Sequence, residues 1–163
     1  MSSTLKLNFD GASVSSTFWG WGFILRDHNG DVVFARAKHG RVTSSPLIEE
    51  AKSCLHAMKI AFEFGAHRLV VEGDCLSLIN MLKSRLIHDT SIGYFVADIL
   101  TFSAEFDFVS WSFVKKGRNK VVHYLADRQP LCLEGLLWDT DVPEDILSRA
   151  LDDMYAYVTD NLI

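Results

Sequence analysis

Apolar residues recur along this chain with two periods, and the change from one to the other divides it. Leu5, Leu7 and Phe9 alternate with polar residues in LKLNF, and Trp19, Trp21, Phe23 and Leu25 alternate in FWGWGFILR. Both segments read as strands with one face toward a core. A third strand is expected in VVFARAKHG, and Asn29 with Gly30 before it marks a hairpin, because glycine takes the positive φ that such turns need. From Pro46 onward the period is helical: Leu47, Ala51, Cys54, Leu55, Met58, Ala61 and Phe62 share a face. Ser45 is placed to cap this helix, Pro46 to start it and Gly65 to end it. A short apolar strand follows over 68–74, then a helix opened by Asp74, a helix over about 91–103 and a strand through Val109, Trp111 and Phe113. A basic loop at 115–118 leads to a helix over 119–127 with Val122, Leu125 and Ala126 inward.

The order β-β-β-α-β-α-α-β-α predicts an α/β fold with a five-stranded mixed sheet, three strands antiparallel and two parallel, flanked by helices. Residues 1–130 form this domain, and 131–163 are an appendage. There Val142 and Pro143 start a helix with Ile146, Ala150 and Met154 on one stripe, Leu147, Leu151, Tyr155 and Val158 beside it, and an acidic opposite face. A chain of 163 residues buries enough surface to fold without disulfides or metal. Cys54, Cys75 and Cys132 are odd in number, far apart and in no CxxC pair, which argues against a disulfide framework or structural zinc. With no leader-like or membrane-spanning run, a soluble, intracellular protein is expected, monomeric by default. The net charge of −5 is uneven. Residues 131–163 carry eight acids and Arg149, or −7, whereas 1–130 carry +2, so the body alone does not exclude a polyanionic partner.

Three carboxylates stand where chemistry is plausible. Asp10 ends an apolar strand in FDGA, Glu50 lies beside the apolar stripe of the first helix, and Asp74 ends the central strand. If the first and fourth strands are neighbours, Asp10 and Asp74 lie close and the first helix brings Glu50 alongside. Each residue alone is also explained by a turn, a helix dipole or a cap. Together they would repel unless a cation neutralised them, and hard oxygen donors suit Mg²⁺ or Mn²⁺.

Five segments in this order, FDGA, ILRDHNGD, SPLIEEA, VVEGDCLSLIN and NKVVHYLA, resemble the plant-type ribonuclease H-like domains related to reverse transcriptases, over about residues 5–130. The segment WDTDVPEDIL is similar to a short C-terminal stretch common in such plant proteins. The resemblance implies a ribonuclease H fold that hydrolyses the RNA strand of an RNA–DNA hybrid by a two-metal mechanism with Mg²⁺, or Mn²⁺ as substitute. It implies Asp10, Glu50 and Asp74 as catalytic metal ligands, with Glu50 chosen over Glu49 because the motif places Glu four residues after Pro. Active members carry a fourth acid opening the last helix; here the matching residue is His123, which brings no negative charge. His123 is then an auxiliary catalytic group, and Asp127, four residues on, a partial substitute through water.

For the nucleic acid, the candidates are Gly11 and Ala12 beside the first carboxylate, Ser44 and Ser45 (with Thr43) at a helix start, and Lys115, Lys116, Arg118 and Asn119 near the last helix. Arg36, Lys38 and Arg41 form a second basic stretch. Trp19 and Trp21 point one way along a strand, which favours core packing over base stacking. Two other readings stand beside the nuclease: a hybrid- or double-stranded-RNA-binding module with weak or no cleavage, and an interaction domain whose acidic tail docks elsewhere.

Overall fold

The structure, a computed structural model, describes residues 3–13, 15–42, 44–87, 90–127, 136–138 and 143–160, with backbone alone at 136–138 and 154–160. Thr43, Cys132, Glu134, Asp139, Asp141 and Val142 lie outside the described residues, as do the side chains of Met154, Tyr155 and Val158. The elements are β1 (Leu5–Ser13), β2 (Phe18–Arg26), β3 (Val32–Arg41), α1 (Pro46–Glu63), β4 (Arg68–Gly73), α2 (Leu76–Ser84), α3 (Ser91–Ser103), β5 (Phe108–Phe113), α4 (Lys120–Asp127), β6 (Leu136–Trp138) and α5 (Glu144–Asp160).

The sheet order is β5-β4-β1-β2-β3-β6. β1, β2 and β3 are antiparallel, while β4 and β5 run parallel to β1, so the expected five-stranded mixed sheet is present. A sixth strand extends it: β6 pairs antiparallel with β3, Ala37 opposite Leu136, and removes the free edge that β3 would otherwise expose. At the hairpin Gly30 takes φ 86° and the Asp27 carboxylate accepts the N–H groups of Asn29 and Asp31 at 2.9 and 3.0 Å, closing the loop. Ser45 caps α1 through Ile48 N–H at 3.4 Å, with Pro46 opening the helix as expected.

Alternation sorts the strands between two cores. Leu7, Phe9, Phe23, Leu25 and Phe34 face α1, α2 and α3 in the larger one. Ile24, Ala35 and Ala37 face α4 and α5, meeting Val121, Val122, Leu125, Ile146 and Ala150 in the smaller. On this second face β2 presents Gly20 and Gly22. A Cβ on Gly20 would stand 1.6 Å from the Ala126 carbonyl oxygen, and one on Gly22 would stand 2.2 Å from that of Val122. The helix backbone therefore rests directly on the strand, and no other residue type fits under it.

The tail segments that are described join this second face. The Asp153 carboxylate, 3% exposed, accepts the N–H groups of Lys120 and Val121 at 3.0 Å each, capping α4 from another helix. Tyr124 O–H donates to Asp145 at 2.5 Å, and the Arg149 guanidinium lies 3.9 Å from the Tyr124 ring centroid. Asp153 is thus expected to stabilise the fold strongly, since its removal leaves two α4 N–H groups without their acceptor and takes away one of the two acids beside Arg26. Asp153→Ala should lower the unfolding free energy by about 2–4 kcal/mol. The exposed neighbour change Asp152→Ala should cost less than about 0.5 kcal/mol. Urea melts check both, and equal midpoints would refute the cap.

Candidate active site

β1 and β4 are parallel neighbours in register, Asn8 opposite Glu72, so the carboxylates that follow them emerge side by side at the carboxyl ends of the strands. Asp10 belongs to β1, Asp74 immediately follows β4, and Glu50 projects from the first turns of α1. One carboxylate oxygen from each lies within 4.8 Å of the others. The three residues picked out in the sequence are thus brought together, and Glu50 rather than Glu49 faces the cluster. Glu49 is buried and turns instead to Lys52 Nζ at 3.4 Å.

Asp10 and Glu50 share one backbone donor. Asp10, 3% exposed, accepts the Gly11 N–H through Oδ1 at 2.9 Å and meets His123 Nδ1 through Oδ2 at 2.9 Å. The same Gly11 N–H reaches Glu50 Oε1 at 3.3 Å, and Ser53 Oγ donates to the Asp10 carbonyl at 3.2 Å, pinning α1 to β1. Asp74 does not cap α2: Cys75 occupies that position without a side-chain bond, which leaves the Asp74 carboxylate for the cluster. Glu50 Oε2 and Asp74 Oδ2 are buried with no protein partner.

The electrostatics follow from this crowding. Burial first, then the charges of Asp10 and Asp74, push the Glu50 carboxyl up to about 9. Burial and the charge of Asp10 push Asp74 up to about 6, against a small opposing pull from Lys116. Two buried oxygens without donors and two carboxyls driven toward protonation describe a site short of positive charge. Oxygen-only donors in that condition fit a hard divalent cation.

A polar frame stands behind the trio, and the sequence pattern did not reveal it. Arg26, 7% exposed, donates from Nη2 to Asn8 Oδ1 at 2.8 Å. Asn8 Nδ2 donates to Glu72 Oε2 at 3.0 Å and to Asn119 Oδ1 at 3.2 Å, and Asn119 Nδ2 donates to the Phe9 carbonyl at 3.1 Å. The available signal was the presence of Asn8 and Arg26 inside otherwise apolar strands. Asn119, expected to meet nucleic acid, is fully buried in this frame and has no free amide for a ligand. Ala12 is also buried, and the Gly11 N–H is taken by the two carboxylates. The surface candidates stand differently. Lys115 and Lys116 are exposed, Arg118 is half-buried, Ser45 is exposed at the cap of α1, and half-buried Ser44 accepts from Lys52 Nζ at 3.3 Å. Asp127 is exposed at the far end of α4, where its charge acts on His39 and not on the trio.

Residues 8–129 match the family described as reverse transcriptase-like. In structure the chain is similar to RNase H1 from the halophilic archaeon Halobacterium salinarum, with TM-score 0.69 and 21% identity over 76% of this chain and 95% of that one. It is also similar to the N-terminal RNase H domain of a Mycobacterium tuberculosis protein, at TM-score 0.68 and 18% identity, covering 77% of this chain and 92% of that one. An RNase H1 isolated from compost, solved in complex with an RNA/DNA hybrid, gives TM-score 0.66 and 14% identity over 76% of this chain and 94% of that one. The fold is therefore ribonuclease H-like. No curated protein sequence matches the chain.

The raised carboxyls carry a stability consequence. A folded-state pKa above the unfolded value means that the folded protein holds a proton the unfolded chain releases, so stability falls as pH rises through that interval. For Glu50 the interval runs from its ordinary value of 4.5 to about 9. In chelator, Glu50→Gln should raise Tm at alkaline pH by several degrees and flatten the decline of Tm between pH 5 and pH 9. The same change should also abolish the Tm rise expected of the wild type on adding a divalent cation. Differential scanning fluorimetry across pH checks it, and an unchanged Tm profile would contradict the crowding.

Proposed function

The chain belongs to the reverse transcriptase-like family, and we propose that it is a metal-dependent endonuclease that hydrolyses the RNA strand of RNA–DNA hybrids. The observation that carries this reading is the trio itself, three carboxylates whose oxygens fall within 4.8 Å of one another, two of those oxygens buried and unpartnered. Mg²⁺ suits these donors, with Mn²⁺ as substitute. The charges balance for a pair of ions: three carboxylates and one phosphodiester offset two divalent cations. When bound, such cations supply activation of the attacking water and stabilisation of the leaving 3′ oxygen.

The residues of the chain do the rest. Asp10, anchored on both oxygens by Gly11 and His123, is the ligand with fixed orientation, and Glu50 and Asp74 flank it. A carboxylate only accepts, so His123 Nδ1 is the donor in this pair, and Nε2 is the nitrogen left outside it. With its side chain 56% exposed, His123 offers that nitrogen as an auxiliary ligand or proton acceptor beside the site. Lys116, whose charge acts on Asp74, supplies with its chain neighbours Lys115 and Arg118 salt-dependent affinity for phosphates without reading bases. Contacts to 2′-hydroxyls and duplex shape select the hybrid. Within the family, the order of the motifs and the tail segment favour the plant-type branch.

A second reading is supported by one feature, the imidazole of His123 beside Asp10, which leaves the site one carboxylate short of a four-acid set. On that reading the domain binds hybrid or double-stranded RNA and cleaves weakly or not at all. Cleavage of an end-labelled RNA–DNA hybrid separates the two. The wild type should cut in Mg²⁺ and at least as well in Mn²⁺, Asp10→Asn and Asp74→Asn should fall to background, and His123→Ala should lose about 10–100-fold. Undiminished cleavage by Asp10→Asn would overturn the nuclease. A folded protein that shifts the hybrid but cuts in neither metal would establish the binding module.

A further inference from the structure

The sheet has two edges, and the chain treats them differently. β6 covers β3, whereas among the described residues no strand lies beyond β5. Exposed edges are ordinarily guarded by a charge, a proline or a bulge. β5, FVSWSF, has none of these, and its two ends are apolar and exposed, Phe108 at 39% and Phe113 at 38%. The hydrogen-bonding groups of the strand are sorted. The His67 carbonyl accepts the N–H groups of Asp107 and Phe108 at 2.8 and 3.4 Å, and the Gly73 carbonyl accepts that of Val114 at 3.0 Å. Phe108 and Val114 lie an even number of residues apart, so Ser110 and Ser112 between them also turn toward β4. The N–H and C=O groups of Val109, Trp111 and Phe113 therefore turn outward, to the open edge.

The chemistry of this edge mirrors itself about Trp111. Ser110 and Ser112 stand one residue to either side, Val109 and Phe113 two, and Phe108 and Val114 three. Beyond them, Asp107 and Lys115 are each four residues away and of opposite charge. Both are exposed, and Lys115 continues the extended backbone at φ −68° and ψ 150°. Among the described residues neither forms an ion pair. An antiparallel partner of the same sequence, centred on Trp111, therefore meets apolar with apolar, hydroxyl with hydroxyl, and charge with countercharge at both ends.

We propose that β5 is the interface of a symmetric dimer, in which a second copy of this chain pairs antiparallel through its own β5 with Trp111 on the two-fold axis. Trp111 stands opposite Trp111 of the second copy and Val109 opposite Phe113, and each such pair exchanges two ladder bonds. These are the residues whose backbone groups are free, so one register satisfies both side chains and hydrogen bonds. An axis placed between two residues would match an outward-facing residue with one already turned to β4. An axis moved by a whole residue would set Phe113 against Asp107, or Val109 against Lys115. The contact is the same patch on both copies, so it uses up the edge and stops at two. Antiparallel pairing also turns one copy end for end, and the two carboxylate trios open at opposite ends of the joined sheet. Lys115 is drawn to the carboxylate of the second copy, which leaves Lys116, beside Asp74, and Arg118 for phosphates. The dimer does not rest on the nuclease reading.

Sedimentation velocity on the full chain over a range of concentrations tests it. The mass should rise from 18.4 kDa toward twice that value and stop there. Asp107→Lys and Lys115→Asp each place like charges together at both ends of the interface, and each should weaken association at least about fivefold. Mixed in equal amounts, the two variants regain both ion pairs, so dimers of wild-type strength should form between them. Amide exchange gives a second readout. Raising the concentration should slow exchange at Val109, Trp111 and Phe113 and leave Ser110 and Ser112, already bonded to β4, unchanged. A chain that stays at 18.4 kDa throughout would overturn the proposal and leave the edge to a strand of another protein. Dimers that ignore both charge reversals, or that mixing does not restore, would place the contact elsewhere and overturn it too. Growth past the dimer would show open-ended strand stacking in place of a closed interface. Cleavage is read in none of these experiments, so the nuclease reading stands or falls separately.

Discussion

The rest of the structure depends on how closely α4 approaches β2. Helices usually rest on sheets through side chains, but Gly20 and Gly22 leave none between them, and the carbonyls of Val122 and Ala126 occupy the space a Cβ would take. An isolated helix of eight residues has no stability of its own, because nucleation costs more than so few hydrogen bonds return. Backbone contact with the sheet, an apolar stripe and a cap borrowed from Asp153 make it persist. The consequence is positional. With α4 lying flat on β2, the imidazole of His123 reaches Asp10, and Asn119 reaches the Phe9 carbonyl.

The charges behind this arrangement are distributed in a telling way. Arg26 has the charges of Asp153 and Glu72 beside it, and Lys6 pairs with Glu72 at 3.3 Å. Asn8 and Asn119 satisfy each other and the backbone. Such a frame costs little because its partners are present, and it resists deformation because removing one member exposes several others. At the trio, by contrast, acids face acids. A fold that neutralises its buried charges elsewhere and leaves them uncompensated at the ends of two parallel strands points to a missing cation there.

Much of this was legible in the amino-acid order because periodicity reports burial. The three antiparallel strands, the Ser45–Pro46 start of α1, the strand that ends before Asp74 and the inward face of α4 all follow from one-sided exposure. The trio was legible because Asp10 interrupts an apolar strand, Asp74 follows one and Glu50 stands beside an apolar stripe, where a carboxylate has no packing role. What alternation could not convey is that β2 is buried on both faces. Trp19, Trp21, Phe23 and Leu25 account for one of them, and the glycines between read as gaps until a helix backbone is placed against them. Asn119 misled for a related reason. An Asn ahead of a helix beside a basic loop looks like a cap or a ligand contact, and only the long-range pairing with Asn8 shows where its amide goes.

The tail raised a different difficulty, since a run of acids invites reading as a solvated or docking surface. Its charge is in part used internally. Asp153 stands at the positive end of α4, and Asp145 takes the Tyr124 hydroxyl, so the helix that brings the acids also brings the contacts that hold α4. The family match ends at residue 129, short of every one of these contacts. Within the matched region β2 holds α4 by backbone contact and apolar packing, and α5 adds the cap and a second apolar flank. Charge explains why the helix can sit there without closing the site. The acids that point inward meet helix N–H groups and Arg26 on the α4 face, whereas the trio opens at the strand ends. An acidic brace and the acidic trio coexist in one small domain because the brace's acids find their donors within the fold.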